Sequence, residues 1–232
     1  MTYTFRFAPV FNRFDQLMDG LVVTLWVSLA VIFLGLIVGI VGALAMRSRF
    51  SLVRGLMQSY VELIRNTPLL AQLFFIYFGL PSLGIKLDSF VAAVIALTVN
   101  LGAYTTEIVR GGIDSVPAGQ AEAGIALGLR RLQIFFLIIL KPAVKTMFPA
   151  LASQCTLLIL GTSLISQLGI PDLFRAASQI DLDTYLSFEV YLVMCAIYVT
   201  VVLLFRGACA VIYRLIFAER EPTPLTLIVS PS

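Results

Sequence analysis

The sequence predicts an all-α, polytopic membrane protein with about five transmembrane helices. Two observations carry that prediction. Of the 232 residues, 59% are hydrophobic and only 12% are charged, whereas a soluble domain carries roughly a quarter charged residues. The apolar residues also fall in long runs instead of alternating with polar ones. A water-soluble fold cannot hide runs of that length, but a helix crossing a bilayer needs about 20 mostly apolar residues.

Five stretches reach that length, roughly 20–46, 54–80, 88–109, 133–168 and 186–216. The second and fourth are interrupted by polar residues and prolines. Residues 1–19 are mixed, with Arg6 and Arg13 set against Asp15 and Asp19, and are expected to form an external N-terminal segment. The first apolar run is longer than a signal-peptide core and lacks a basic leader, so it is expected to be a retained span. Residues 20–216 then form the transmembrane domain, with a polar loop at about 111–132, and 217–232 form a tail. Gly35 and Gly39 sit four apart, a spacing that lets helix backbones approach, although glycine is also simply frequent in membrane helices. Cys155, Cys195 and Cys209 lie in apolar segments without a CxxC pair, which fits small core residues better than a disulfide or zinc site.

Five spans place the termini on opposite sides, and the basic residues decide which side is cytoplasmic. One side holds Arg47, Arg49 and Arg54, then Arg110, Arg130, Arg131, Lys141 and Lys145, then Arg206, Arg214 and Arg220. The other holds only Arg6, Arg13, Lys86 and Arg175, and its last loop is acidic through Asp172, Asp181, Asp183 and Glu189. The N-terminus is therefore expected outside and the C-terminus in the cytoplasm.

The chain offers no catalytic machinery to a reader of motifs. It has no GxxxxGK[ST] loop, no GxSxG elbow and no HExxH, and it contains no histidine, the usual general base and a common metal ligand. No metal site is expected. A net charge of +3 is too small to suggest nucleic acid. Any ATP used must be hydrolysed by another chain.

The polar loop carries the most information. Ser115, Val116 and Pro117 read as a helix start, with a capping hydroxyl and proline just inside the first turn. Small and helix-forming residues follow from Gln120 to Leu127, with Glu122 near the positive end of the helix dipole. Gly128 can adopt the left-handed conformation that ends a helix, and a second helix is expected to begin around Arg130. A short helix, a glycine turn and a re-entering helix can present a docking surface through Ala121, Ala123, Gly124 and Ala126. Equally, they can be a loop packed on its own spans.

Resemblance separates those readings. EAGIALG (122–128) resembles the EAA loop of permease subunits in ATP-binding-cassette importers: an acid, an alanine, a small residue, and glycine six places after the acid. Gly124 stands where a second alanine is usual, and Pro142 follows Leu140 one place later than the family pattern. Three further blocks are similar to the polar amino-acid branch of these permeases, the importers of histidine, arginine, glutamine, glutamate and opines. They are YVELIRNTPLLAQLFFIYFGLP (60–81), NLGAYTTEIVRGGIDSVPAGQAEA (100–123) and GTSLISQLGIPDL (161–173).

The resemblance implies a type I importer permease fold with a five-helix core in the bacterial cytoplasmic (inner) membrane. It implies that Glu122, Ala123, Gly124, Gly128 and Arg130 belong to a coupling helix docking on an ATPase. The implied partners are two cytoplasmic ATPase subunits, a second permease that is identical or related, an external (periplasmic) amino-acid-binding protein, and the amino-acid substrate. ATP and magnesium belong to the ATPases, so no cofactor is expected in this chain. A secondary transporter or channel working without ATP, and a scaffold without transport, are the rival readings.

Polar groups at membrane depth are costly and tend to face a partner or a water-filled path. Asn66, Thr67, Asn100, Tyr104, Gln154, Thr162 and Ser163 are accordingly candidates to line a substrate path, or else they bridge helices. Pro68 is expected to break the second span, freeing backbone groups that can line a cavity. Glu62 with Arg65, and Glu107 with Arg110, are three apart and are expected to pair locally.

Overall fold

The computed structural model describes residues 4–217; most of the expected tail, with Arg220, lies outside the described residues. Among them all regular structure is helical. A short turn α1 (Ala8–Phe11) leads into α2 (Phe14–Met46). This helix starts six residues earlier than the apolar run, because Asp15 in its first turn suits the positive end of the dipole. The second expected span is α3 (Ser51–Arg65) followed by α4 (Leu69–Phe74), which continues through a π-helical turn and a 3₁₀ turn to Leu83. The chain bends by 110° between the two halves. Next come α5 (Ser89–Asp114), the short α6 (Ala118–Ala126) and α7 (Arg131–Ile134). A π-helical turn then leads into α8 (Leu140–Gly161) and a 3₁₀ segment to Leu168. Finally α9 (Leu173–Thr184) and α10 (Ser187–Phe217) complete the chain. Four continuous helical runs are long and apolar enough to cross a membrane, and the bent pair makes up to five.

The helices pack small faces inward and large apolar faces outward, as lipid requires. Trp26, Leu29 and Phe33 on α2 are exposed, while Gly35, Gly39 and Gly42 are buried against α5. A Cβ on Gly35 would lie 2.6 Å from Leu101 Cδ2, and Cβ atoms on Gly39 and Gly42 would fall into the side chains of Thr105 and Thr106. The Gly35–Gly39 spacing therefore serves an intrachain seam, the most extensive helix contact in the molecule. Around it Val27, Val31, Leu73, Leu97, Leu101 and Ile165 form the main core.

Contacts at the helix ends sort the molecule into two poles. Arg47 after α2 pairs with Asp114 at the end of α5, and Arg13 before α2 pairs with Asp183 at the end of α9. At the second pole the Arg6 N–H donates to the buried carboxylate of Glu189 (2.8 Å) in the first turn of α10. Asp172 caps α9 there, accepting from the Arg175 N–H at 2.9 Å, while the Thr24 hydroxyl accepts from the Leu173 N–H at 3.1 Å. Burial pushes the Asp172 carboxyl up to about 6, against the opposing pull of its backbone N–H donors.

Two local expectations need correction. Ser115 does not cap α6: its hydroxyl donates to Gly112 O (2.7 Å) as α5 closes, and Pro117 stands at the α6 N-cap with no side-chain cap bond. Glu62 and Arg65 do not pair with each other; Arg65 instead reaches Glu107 on α5 at 3.6 Å and lies 5.5 Å from the centroid of the Tyr104 ring. Glu107 already faces α3 and gives that guanidinium a counter-charge across the helix gap. The local Glu107–Arg110 pair is present at 2.8 Å.

Candidate functional site

At the pole of Arg47 and Asp114, α6 stands between α5 and α7 as a two-turn helix. Gly128 has φ +74°. Its N–H donates to Ile125 O (2.9 Å), and the Leu129 N–H donates back to Gly124 O (3.1 Å), the paired bonds of a glycine helix stop. The Arg130 N–H then donates to Gln133 Oε1 (2.8 Å) and opens α7. Glu122, Ala123, Gly128 and Arg130 are exposed, but Gly124 is buried: a Cβ there would approach Ile138 Cδ1 at 2.9 Å and Ile134 Cγ1 at 3.0 Å. Gly124 thus holds α6 against its own chain, and the free face of the segment is made by other residues. Two of them escaped the sequence reading. Ile125 is 65% exposed and Leu127 79% exposed, apolar side chains, outside any span, that the rest of the chain leaves uncovered. An isoleucine and a leucine beside a glycine stop were their only sequence signal.

The late proline of the re-entering helix also finds its reason. Pro142 has no N–H and would crowd the carbonyl of Ile138 in a continuous α-helix. The preceding turn, Phe135–Ile139, is widened to π, and α8 begins at Leu140, so Pro142 falls in a first turn that needs no donor.

The break between α3 and α4 leaves the carbonyls of Leu63 and Ile64 without helical partners, while Glu62 O still accepts from the Asn66 backbone N–H at 3.1 Å. Three side chains cover this end of α3 in succession. The Asn66 amide donates to Glu62 O (2.8 Å), the Thr67 hydroxyl to Leu63 O (2.8 Å), and the Gln72 amide to Ile64 O (2.8 Å). Gln72 also donates to Thr67 Oγ1 (2.8 Å) and accepts from the Asn100 amide of α5 (2.9 Å). Gln72 was not singled out from the sequence, where one amide in an apolar run carries no distinguishing pattern.

Beside this joint lies a cavity of about 210 Å³ lined by Thr67, Asn100, Tyr104 and Gln154 with leucines from α4, α5 and α8. Four of the seven predicted path residues therefore meet at one place. Asn66 stands outside the lining as the α3 cap. Thr162 is fully buried with its hydroxyl donated to Ile159 O (2.7 Å), and Ser163 lines a different cavity against α10.

A further cavity, about 530 Å³, lies among the end of α2, α3 and the last turns of α5. Six charges line it: Arg47, Arg65 and Arg110 against Glu62, Glu107 and Asp114. The pairs run in series. Asp114 holds Arg47 and Arg110, the latter at 3.3 Å, and Glu107 holds Arg110 and Arg65. The chain of charges starts at Asp114, where α5 ends before α6, and ends on Tyr104 in the small cavity.

Residues 14–216 match the model of the family described as the binding-protein-dependent transport system inner membrane component. The chain belongs to that family. It is an inner-membrane, multi-pass permease subunit, and ATPase and binding-protein partners go with that class in general. The permease is similar to the arginine transport system permease of Bacillus subtilis, 34% identical, with 85% of this chain and 91% of the relative covered. It is also similar to the glutamine transport system permease of Escherichia coli K12, 32% identical over 86% of this chain and 92% of the relative. Among solved structures it matches the crystal structure of an amino acid ABC transporter with histidines. That match has a TM-score of 0.86 and 33% identity, and covers 92% of the permease and all of the solved chain.

Proposed function

We propose that this permease carries polar amino acids inward across the bacterial cytoplasmic membrane, driven by ATP hydrolysed in partner subunits. The observation that carries the reading is the meeting of Thr67, Asn100, Tyr104 and Gln154 around one small cavity beside a broken span, in a chain whose relatives are named for amino-acid transport. Neutral hydroxyls and amides suit an ammonium and a carboxylate without holding them so tightly that release fails. The pole bearing α6 is cytoplasmic, so the N-terminus is outside and the C-terminus inside, as the basic residues favour. Glu122, Ala123, Gly128 and Arg130, with Ile125 and Leu127, form the surface on which an ATPase docks, and Gly124 holds that surface in place.

Two ATPases and a second permease, identical or related, complete the assembly. Closure of the ATPases on ATP moves α6, and Asp114, six residues before Gln120, passes that motion through Arg110 and Glu107 to Arg65 and the α3–α4 joint. The cavity then opens toward an external binding protein, and hydrolysis returns it. ATP and its magnesium stay in the partner chains. This chain contributes the path and the linkage, with no covalent step.

Uptake by the assembled importer in proteoliposomes tests the reading. Asn100→Ala and Gln154→Ala are expected to lower uptake at least several-fold while the complex assembles normally. Unchanged uptake in both variants would remove the cavity from the path. Uptake without ATPase subunits would instead support an ATP-independent carrier.

A further inference from the structure

A groove between α8 and the last third of α10 takes no part in the path or the coupling segment. It is a cavity of about 270 Å³ whose lining includes Phe148, Pro149 and Ser153 of α8 and Arg206, Tyr213 and Arg214 of α10. At 100° per residue, Phe148, Pro149 and Ser153 lie on the side of α8 opposite Gln154, Leu157 and Leu158, which border the small cavity. The groove therefore opens away from the proposed path.

Its level in the membrane can be read from its aromatic end. Phe148, Tyr213 and Phe217 cluster with ring centroids 5.1 to 6.4 Å apart, and tyrosine is enriched where bilayer meets water. Arg206 lies seven residues before Tyr213, about 10 Å deeper along the same apolar helix. Both arginines are exposed, and no ion pair among the described residues involves either of them. The guanidinium groups at the end of α3 and on α5, by contrast, are all neutralised by carboxylates. A cation left unpaired at that depth is costly unless an anion meets it.

We propose that the groove binds an anionic phospholipid, its phosphate held between Arg206 and Arg214. The two arginines are about 12 Å apart along the helix, and their long side chains converge from above and below on one headgroup. The hydroxyls of Tyr213 and Ser153 stand beside it as donors, and an acyl chain continues along Pro149 and Ala210. The charge of the groove selects the occupant: two cations without a counter-charge among the described residues, facing the bilayer, match the one anion that the membrane itself supplies.

The test is phospholipid retention by the purified importer complex, read by native mass spectrometry during titration with phosphatidylglycerol or phosphatidylcholine. Phosphatidylglycerol is expected to stay bound after detergent exchange, about fivefold more weakly in Arg206→Gln or Arg214→Gln and about thirtyfold more weakly in the double variant. Phosphatidylcholine retention should be low in every case. A second readout needs no variant: phosphatidylglycerol should raise the Tm of the wild-type complex more than phosphatidylcholine does, and added salt should shrink the difference. Equal retention of the two lipids by the wild type overturns the proposal. So does loss of a protein subunit from the double variant with lipid retention unchanged, which assigns the arginines to a protein interface.

Discussion

Gly128 and Asp172 are the two residues whose chemistry most constrains their neighbourhoods. At φ +74° an alanine in place of Gly128 meets a left-handed penalty of about 1–2 kcal/mol, and the turn between α6 and α7 must distort or open. Gly128→Ala is expected to weaken ATPase retention during affinity purification, and Leu127→Ala to weaken it without altering the turn. Full retention in both variants would count against the docking surface. Asp172 has an unfolded-state carboxyl near 3.8 and a buried one near 6, so the folded protein takes up its proton first. Its contribution to stability is present below about 4 and is lost as pH rises through about 6. Asp172→Asn keeps the cap on α9 and removes this loss, and its Tm should vary less between pH 5 and 7 than that of the wild type. Asp172→Ala loses the cap as well, at a cost of about 1 kcal/mol. A wild-type Tm that rises from pH 5 to 7 where the Asn variant stays flat would contradict the assignment.

Among the elements, α2 and α5 form the seam on which everything else is mounted. Inserting a methyl group at Gly39 forces Thr105 and its backbone to move, and overpacking of this kind costs about 1–3 kcal/mol. Gly55 on α3 has open space around it, so alanine there should instead stabilise by up to about 1 kcal/mol through helix propensity. Thermal melts of Gly39→Ala and Gly55→Ala should therefore shift in opposite directions. The same elements mark what could be read in the sequence. The spans, the break at Pro68 and the glycine stop were legible, because length, a missing donor and a left-handed turn each leave a residue-level trace. The partner of Arg65 was not. A spacing of three puts Glu62 within reach but says nothing of which way the guanidinium turns, and Glu107 is distant in sequence. Ser115 misled for a related reason: a hydroxyl before proline can close one helix as readily as it opens the next. Four residues that line the small cavity were legible because polar groups stand out in an apolar run. Gln72 has the same polarity, but its role depends on the Ile64 carbonyl, freed only by the bend.

At the scale of the whole molecule, the charge series from Asp114 to Arg65 runs from the α5–α6 junction to the small cavity. Glu107→Gln cuts it in the middle, leaving Arg65 without its anion and Arg110 with only Asp114. In reconstituted importer the variant is expected to hydrolyse ATP normally without binding protein, yet to move several-fold less substrate per ATP. An Arg47→Asp variant combined with Asp114→Arg restores the attraction in reverse and should recover more transport than either single change. An unaltered ratio of transport to hydrolysis in Glu107→Gln would show that motion takes another route. The glycine seam has a consequence for how any such motion is distributed. Leu101, Thr105 and Thr106 sit in notches that admit them in one register only, so α2 and α5 cannot slide past one another by part of a turn. Spectroscopic labels on their two outer faces should keep a constant separation throughout the cycle, a fixed internal ruler against which the displacement of α3, α6 and α8 can be measured.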